Sequence, residues 1–195
     1  MLKEHDLKEH DAAPVHGNEG EARTGGGGQT ATLSTALPDD VERAARDLLA
    51  AADDAGIGLA TAESCTGGLL ASILTDVEGR SSVFERGFVV YSPTAKCELL
   101  NLEEKMIDDC GVVSEEVARA LAEAAVERSH AHLAVGITGF AGPGGPGDEE
   151  GLVHIAVARE GRETCHREMH YGAIGRGGVR IGVVRTALGM MRAAV

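Results

Sequence analysis

The chain has 195 residues, 43% of them hydrophobic, and a formal net charge of −13. That length suits one domain of about 150 residues, large enough to bury a core without disulfide or metal staples. A field of this sign repels phosphate backbones and argues against nucleic-acid partners. No apolar run approaches the roughly 20 residues of a membrane span, and the N-terminus is polar from residue 2 with no secretory apolar segment, so a cytoplasmic protein without membrane contact is expected.

The only lysines are Lys3, Lys8, Lys96 and Lys105. Few lysines, many carboxylates and 3% aromatics suit a high-salt medium, where screening tolerates self-repulsion. Cys65, Cys97, Cys110 and Cys165 form no C-x-x-C pair, so neither a zinc ribbon nor a thioredoxin-type site is indicated, and reduced thiols are expected.

Residues 1–36 read as a disordered tail. The pentad Leu2-Lys3-Glu4-His5-Asp6 recurs at once as Leu7-Lys8-Glu9-His10-Asp11, and Gly25–Gly28 form a flexible run. A solenoid needs about three or more stacked units, and this segment has too few large apolar residues to offset its ordering entropy. Its histidines (His5, His10, His16) could bind metal loosely, but a solvated tail is the simpler reading.

From residue 37 the pattern is that of a folded domain. Acids at Asp39, Asp40 and Glu42 open a helix whose buried stripe is Val41, Ala44, Leu48, Leu49 and Ala52, ended by Gly56. A strand follows over 57–62, a turn over 63–68, a helix over 69–77 and a strand over 84–91. Pro93 opens a short helix through Leu100, since proline is tolerated in a first turn. Ser114 caps a helix carrying Val117, Leu121, Ala124 and Ala125 on one face. Strands over 132–138, 152–159 and 163–170 come next, with a glycine–proline loop over 139–151 after the first of them. A last helix runs from about Gly178 with Ile181, Val184, Leu188 and Met191 inward. The alternation predicts an α/β layered domain with a mixed, partly antiparallel sheet.

Three segments could carry chemistry. Glu63-Ser64-Cys65-Thr66-Gly67-Gly68 lies between a strand and a helix, where free N–H groups favour negative charge and a serine could attack a carbonyl. It is not a G-x-S-x-G elbow, and Ser64 or Thr66 could simply cap the helix. In Tyr91-Ser92-Pro93-Thr94-Ala95-Lys96 the lysine falls in the first turns of a helix, where local positive potential and burial lower its pKa towards a useful base. No histidine adjoins either motif, so a Ser–Lys pair is more economical than Ser–His–Asp. The plainer reading is a surface lysine beside a half-buried tyrosine. Thr138-Gly139-Phe140-Ala141-Gly142-Pro143-Gly144-Gly145 follows a strand, where α/β sheets place ligand loops, and its N–H groups could cradle a phosphate or ribose; it could equally be a mobile connection. It lacks the NTPase P-loop pattern. Arg176 and Arg180 suit phosphate or carboxylate, with surface solvation as the alternative. Cys165, His166 and His170 spell C-H-x-x-x-H, a weak metal signal on a strand.

Taken together, Ala62–Gly68, Phe84–Ser92 with Ala95-Lys96, Gly111–Ala118 and Gly136–Pro143 resemble the CinA C-terminal domain family, in order from about Val41 to the end of the chain. The resemblance implies a three-layer α/β/α domain. It also implies the activity of characterised members, which hydrolyse nicotinamide mononucleotide to nicotinate mononucleotide and ammonia. The family's catalytic serine, tyrosine and lysine fall on Ser64, Tyr91 and Lys96. Many relatives carry a further N-terminal domain related to molybdopterin-binding proteins, for which this chain has no room, so a stand-alone form is expected. Relatives commonly have Asn at Pro93, and proline has no backbone donor.

The expected scheme is attack by Ser64, with Lys96 as base and Tyr91 relaying the proton. Substrate contacts are expected from Glu63, Thr66, Gly67 and Gly68, and from Thr138, Gly139, Gly142, Gly144, Arg176 and Arg180. No cofactor or metal is called for, the partner is a small nucleotide, and a homo-oligomer is expected. A non-catalytic nucleotide-binding module is the alternative.

Overall fold

In the computed structural model, which describes residues 37–195, the first element is helix α1 (Asp39–Asp54), with Asp39, Asp40 and Glu42 in its first turn, where carboxylates favour the helix dipole. The tail, its pentad repeat and its three histidines lie outside the described residues. Strand β1 (Leu59–Glu63), helix α2 (Leu69–Thr75), strand β2 (Phe84–Val89) and helices α3 (Pro93–Leu100), α4 (Glu104–Cys110) and α5 (Glu115–Glu127) follow. Then come strands β3 (Leu133–Gly139), β4 (Leu152–Arg159) and β5 (Cys165–His170), and helix α6 (Arg176–Ala194).

The strands form one sheet in the order β2-β1-β3-β4-β5. β1 runs parallel to both β2 and β3, whereas β3–β4 and β4–β5 are antiparallel. The mixed α/β fold is therefore the one expected. From β1 the chain crosses to β2 on one side, and from β2 it returns past β1 to β3 on the other. The C-terminal ends of β1 and β3 thus flank a switch point, the place where open α/β sheets hold ligands.

The strand alternation sorts side chains by size as well as by face. Leu59, Leu133, Val135, Ile137, Val153, Ile155 and Val157 meet α1, α2 and α6 in the larger core. The opposite face carries Ala60, Ala62, Ala134, Ala156 and Ala158 beneath α3, α4 and α5. Small residues on that face let α5 lie almost on the sheet. The closest approach is at Gly136, where an added Cβ would be driven into the Ala118 carbonyl and stand 2.5 Å from the Ala122 nitrogen.

Several element ends differ from the sequence reading by about two residues, β1 starting at Leu59 and α6 at Arg176 among them, and Ile181 of α6 is only partly buried; three further departures have a clear physical reason. The buried stripe of α1 uses Ala45 where Ala44 was expected, because the apolar face is centred one residue further round. β5 starts at Cys165, two residues later than expected, as suits an edge strand with no buried residue to pin its start. Helix α4 was not anticipated, since it is a short, polar helix that buries only Ile107. No helix among the described residues is long and apolar enough to cross a membrane.

Because the backbones of α5 and β3 touch at Gly136, Gly136→Ala should cost about 1–3 kcal/mol or more through overpacking. Urea unfolding of the variant beside wild type measures this, and an unchanged midpoint would contradict the close approach.

Candidate active site

Strand alternation also divides the work of Glu63 and Ser64. The odd positions Thr61 and Glu63 face α2, and Ser64 continues the face that looks towards α3. The Glu63 carboxyl accepts from Leu70 N–H at 3.1 Å, from Ala71 N–H at 2.8 Å and from the Thr61 hydroxyl at 3.2 Å, and it is fully buried. The residue before α2 is Gly68, which supplies no side-chain cap. Glu63 therefore takes the capping role that Ser64 or Thr66 was offered, and its carboxyl, expected to contact substrate, is buried against α2 and does not line the cleft.

With its capping duty removed, Ser64 is free to face Lys96. α3 is set by its own sequence: Pro93 occupies the first turn, and the Ser92 side chain accepts from Ala95 N–H at 3.0 Å. Lys96 then points back into the fold with only 1% of its surface exposed. Its Nζ lies 3.2 Å from Ser64 Oγ and donates to the Val90 carbonyl at 2.9 Å. That carbonyl is held because Val90 N–H donates to Glu63 O at 2.8 Å, and Ser64 N–H in turn donates to Ile137 O at 3.1 Å. The plainer reading of Lys96 as a surface lysine is thus excluded. Among the described residues no carboxylate pairs with it. Burial without a counter-ion disfavours the ammonium and lowers the Lys96 pKa from the ordinary lysine range. Burial acts oppositely on the neighbouring Cys65 thiol, which is pushed up to about 12 and is no nucleophile at neutral pH.

The loop after Ser64 turns through Gly67 and Gly68, whose φ angles of +65° and +88° suit glycine. Gly67 N–H is used inside this turn, donating to Ser64 O at 3.0 Å, so it is not available to a ligand as had been expected. The N–H groups of Cys65, Thr66 and Gly68 have no partner among the described hydrogen bonds. The buried Thr66 hydroxyl also has none.

Ser64 and Lys96 sit in a cleft of about 270 Å³ whose walls come from the ends of β1, β2 and β3. Tyr91, Pro93, Thr138, Gly139, Gly142 and Arg176 line it as well. Thr138 spends its hydroxyl on the Val112 carbonyl at 2.6 Å, which ties the loop before α5 to the end of β3. Gly142 lets the exposed Arg176 guanidinium lie against the loop backbone, for a Cβ there would stand 2.9 Å from Nη2. The N–H groups of Ala141 and Gly142 are likewise unused. Tyr91 is 66% exposed at the mouth and hydrogen-bonds neither Ser64 nor Lys96.

Thr66, Gly67 and Gly68 are not among the residues that line the cleft, and two more of the expected contacts lie off it. Gly144 lies off the cleft, in a turn closed by Gly145 N–H donating to Asp148 Oδ2 at 2.7 Å, and a Cβ on Gly144 would collide with that carboxylate. Arg180 lies off it too, and its Nε donates to the Cys65 carbonyl at 2.8 Å. Conversely, Val112, Val113 and Phe140 form cleft walls to which the sequence reading gave no role. As apolar side chains in loops they carried no signal beyond the motifs that contain them.

His166 and His170 do share a face of β5, but their nitrogens are taken by other groups. His166 Nε2 lies 3.1 Å from His154 Nδ1, and its Nδ1 lies 3.3 Å from Glu115. His170 pairs with Glu149 at 2.7 Å and with Glu168 at 2.8 Å. No group of three or more His, Cys, Asp or Glu among the described residues is arranged to hold a metal ion.

Fold and site together define a mixed-sheet α/β domain with a buried Ser–Lys pair at a strand-end cleft. The chain belongs to the CinA family, for the model of the CinA C-terminal domain matches residues 41–195. It is 51% identical over 114 residues to a CinA-like protein of Akkermansia muciniphila, an alignment covering 57% of this chain and 28% of that protein. Against a putative competence-damage inducible protein of Symbiobacterium thermophilum it is 50% identical over 110 residues, covering 55% and 26%. These relatives are much longer, and the matched segment is about a quarter of their length. Among solved structures, the competence/damage inducible protein CihA of Agrobacterium tumefaciens superposes with a TM-score of 0.79 at 42% identity, covering 82% of this chain and 98% of that one. A CinA-superfamily protein of Escherichia coli gives 0.76 at 30% identity, covering 88% and 100%.

Glu63→Ala should destabilise the domain by about 1–3 kcal/mol for each α2 N–H left unsatisfied. Glu63→Gln should cost less, because its amide oxygen can still accept. Urea titration of both variants checks the order, and equal stability of all three proteins would remove the capping role.

Proposed function

We propose that the chain is an amidohydrolase that deamidates nicotinamide mononucleotide, with Ser64 as nucleophile and Lys96 as its base. The observation that carries this reading is the 3.2 Å approach of Lys96 Nζ to Ser64 Oγ, in a buried position with no counter-ion. A lysine so placed is held towards its neutral form, and a neutral amine can accept the serine proton.

In this scheme Ser64 Oγ attacks the carboxamide carbon while its proton passes to Lys96 Nζ. The oxyanion is met by free N–H groups of the loop after Ser64, that of Cys65 in the cleft wall and that of Thr66 next to it. Collapse breaks the C–N bond, and Lys96 returns the proton to the departing ammonia. Water then adds to the acyl-enzyme with Lys96 again as base, releasing nicotinate mononucleotide. The phosphate lies against Arg176 and the free N–H groups of Ala141 and Gly142. Tyr91 closes the mouth over the nucleotide, and a proton relay through its phenol requires the ring to swing inward on binding.

Ammonia release from nicotinamide mononucleotide should fall by at least about 10³-fold in both Ser64→Ala and Lys96→Ala, since the pair acts as a unit. Full activity in either variant would sink the mechanism. Binding of the nucleotide without turnover by wild type would favour the binding-module alternative.

The base must be neutral, so kcat should rise with pH as Lys96 loses its proton and level off above its pKa. Because burial lowers that pKa, the midpoint should lie below the ordinary lysine value of 10.5. A rate that falls through the same range would contradict the assignment.

A further inference from the structure

Arg180 sits on the first turns of α6, partly buried, and lies outside the cleft. Its guanidinium is paired with no carboxylate among the described ion pairs. Its one protein contact among the described hydrogen bonds is the 2.8 Å bond from Nε to the Cys65 carbonyl, 115 residues away in sequence. Nη2 reaches further along the same loop, to 3.4 Å from where a Gly67 Cβ would stand.

The partner atom decides what this contact can do. A trans peptide is planar, and its C=O and N–H point in opposite directions. The carbonyl of Cys65 and the N–H of Thr66 belong to one such plane. Holding the carbonyl towards α6 turns the Thr66 N–H away from α6, towards the side on which α3 presents Lys96 to Ser64. That N–H is one of the three in the loop with no partner among the described hydrogen bonds. A charged donor on the carbonyl also polarises the peptide, which makes its N–H a stronger donor. The 3.0 Å bond from Gly67 N–H to Ser64 O closes a turn around this peptide, but such a turn accepts its central peptide in either of two flipped orientations, and the Arg180 contact on the carbonyl selects one of them.

We infer that Arg180 is a positioning residue for the Ser64 reaction, fixing and polarising the Cys65–Thr66 peptide so that its N–H faces the developing oxyanion. This rests on the reading of Ser64 as nucleophile. It replaces the expectation that Arg180 binds the substrate phosphate and leaves Arg176 for that role. Arg180 itself touches neither substrate nor the reacting atoms.

The test compares wild type with Arg180→Gln and Arg180→Lys. First, kcat and KM are measured on nicotinamide mononucleotide and on nicotinamide riboside, which lacks the phosphate. Misaligning one oxyanion donor should lower kcat of Arg180→Gln by about 10- to 100-fold. The same factor should appear on both substrates, with KM and the pH midpoint of kcat unchanged. Arg180→Lys should recover part of the loss, and free guanidinium should restore part of it in Arg180→Ala. A rise in KM confined to the phosphorylated substrate would overturn the inference in favour of a phosphate ligand. Unchanged kcat would overturn it outright. Second, the rate at which a fluorophosphonate labels Ser64 is followed by intact mass. Here Ser64 Oγ displaces fluoride and the phosphoryl oxygen occupies the oxyanion position, with no need for a nucleotide substrate. Labelling of wild type that slows by about 10-fold or more in Arg180→Gln supports the positioning role even if nicotinamide mononucleotide proves not to be the substrate. Equal labelling rates in both proteins overturn it while leaving Ser64 as nucleophile. No labelling and no turnover in wild type would remove the nucleophile and this inference together.

Discussion

The site depends on a lysine ammonium placed where it is hard to keep charged. Lys96 is among the largest fully buried side chains of the domain, and its nitrogen has two neutral oxygens for company, Ser64 Oγ and the Val90 carbonyl. A buried charge with no counter-charge is costly. The fold tolerates Lys96 because burial favours its neutral form and both of its contacts survive deprotonation. A neutral amine still donates to Val90 and can accept from the serine. Stability of the site and readiness of the base therefore arise from the same burial.

The surrounding groups keep that pair free of other duties. Glu63 accepts from the α2 N–H groups that a serine cap would otherwise have satisfied, from the opposite face of the strand. Thr138 ties the end of β3 to the loop before α5 through Val112. Arg180 reaches across from α6 to the Cys65 carbonyl. Each of these side chains is polar and serves the backbone, Glu63 in the first turn of α2 and Thr138 and Arg180 in a loop. In a chain whose net charge is −13, the guanidinium of Arg176 at the cleft also provides a local positive field for an anionic ligand.

Much of the architecture could be read from the chain. The apolar periodicity of α1 and α5, Ser114 as a side-chain cap and Pro93 as a helix opener all describe local physics, and local physics survives folding. Central strands were legible because they are mostly apolar and buried along nearly their whole length. Helix α4 was missed because a short segment that buries one side chain has no period to detect. The start of β5 was misplaced for a related reason, since an edge strand with a solvated face gives little contrast with the turn before it.

For the site, the sequence by itself determined the residue types and the loops that bear them: a serine between strand and helix, a lysine in the first turns of a helix, and a glycine-rich loop after a strand. Only the tertiary structure decided which of those residues meet. Whether Ser64 caps a helix or faces Lys96 depends on Glu63, whose partners lie seven and eight residues on, and on strand parity, which one shifted residue would reverse. Arg176 and Arg180 are alike in the sequence and close neighbours on α6. One turn of helix puts the first over the cleft and the second behind the loop. Residue chemistry is a local property, but burial, pairing and exposure belong to the packed chain, and those separate a base from a surface lysine.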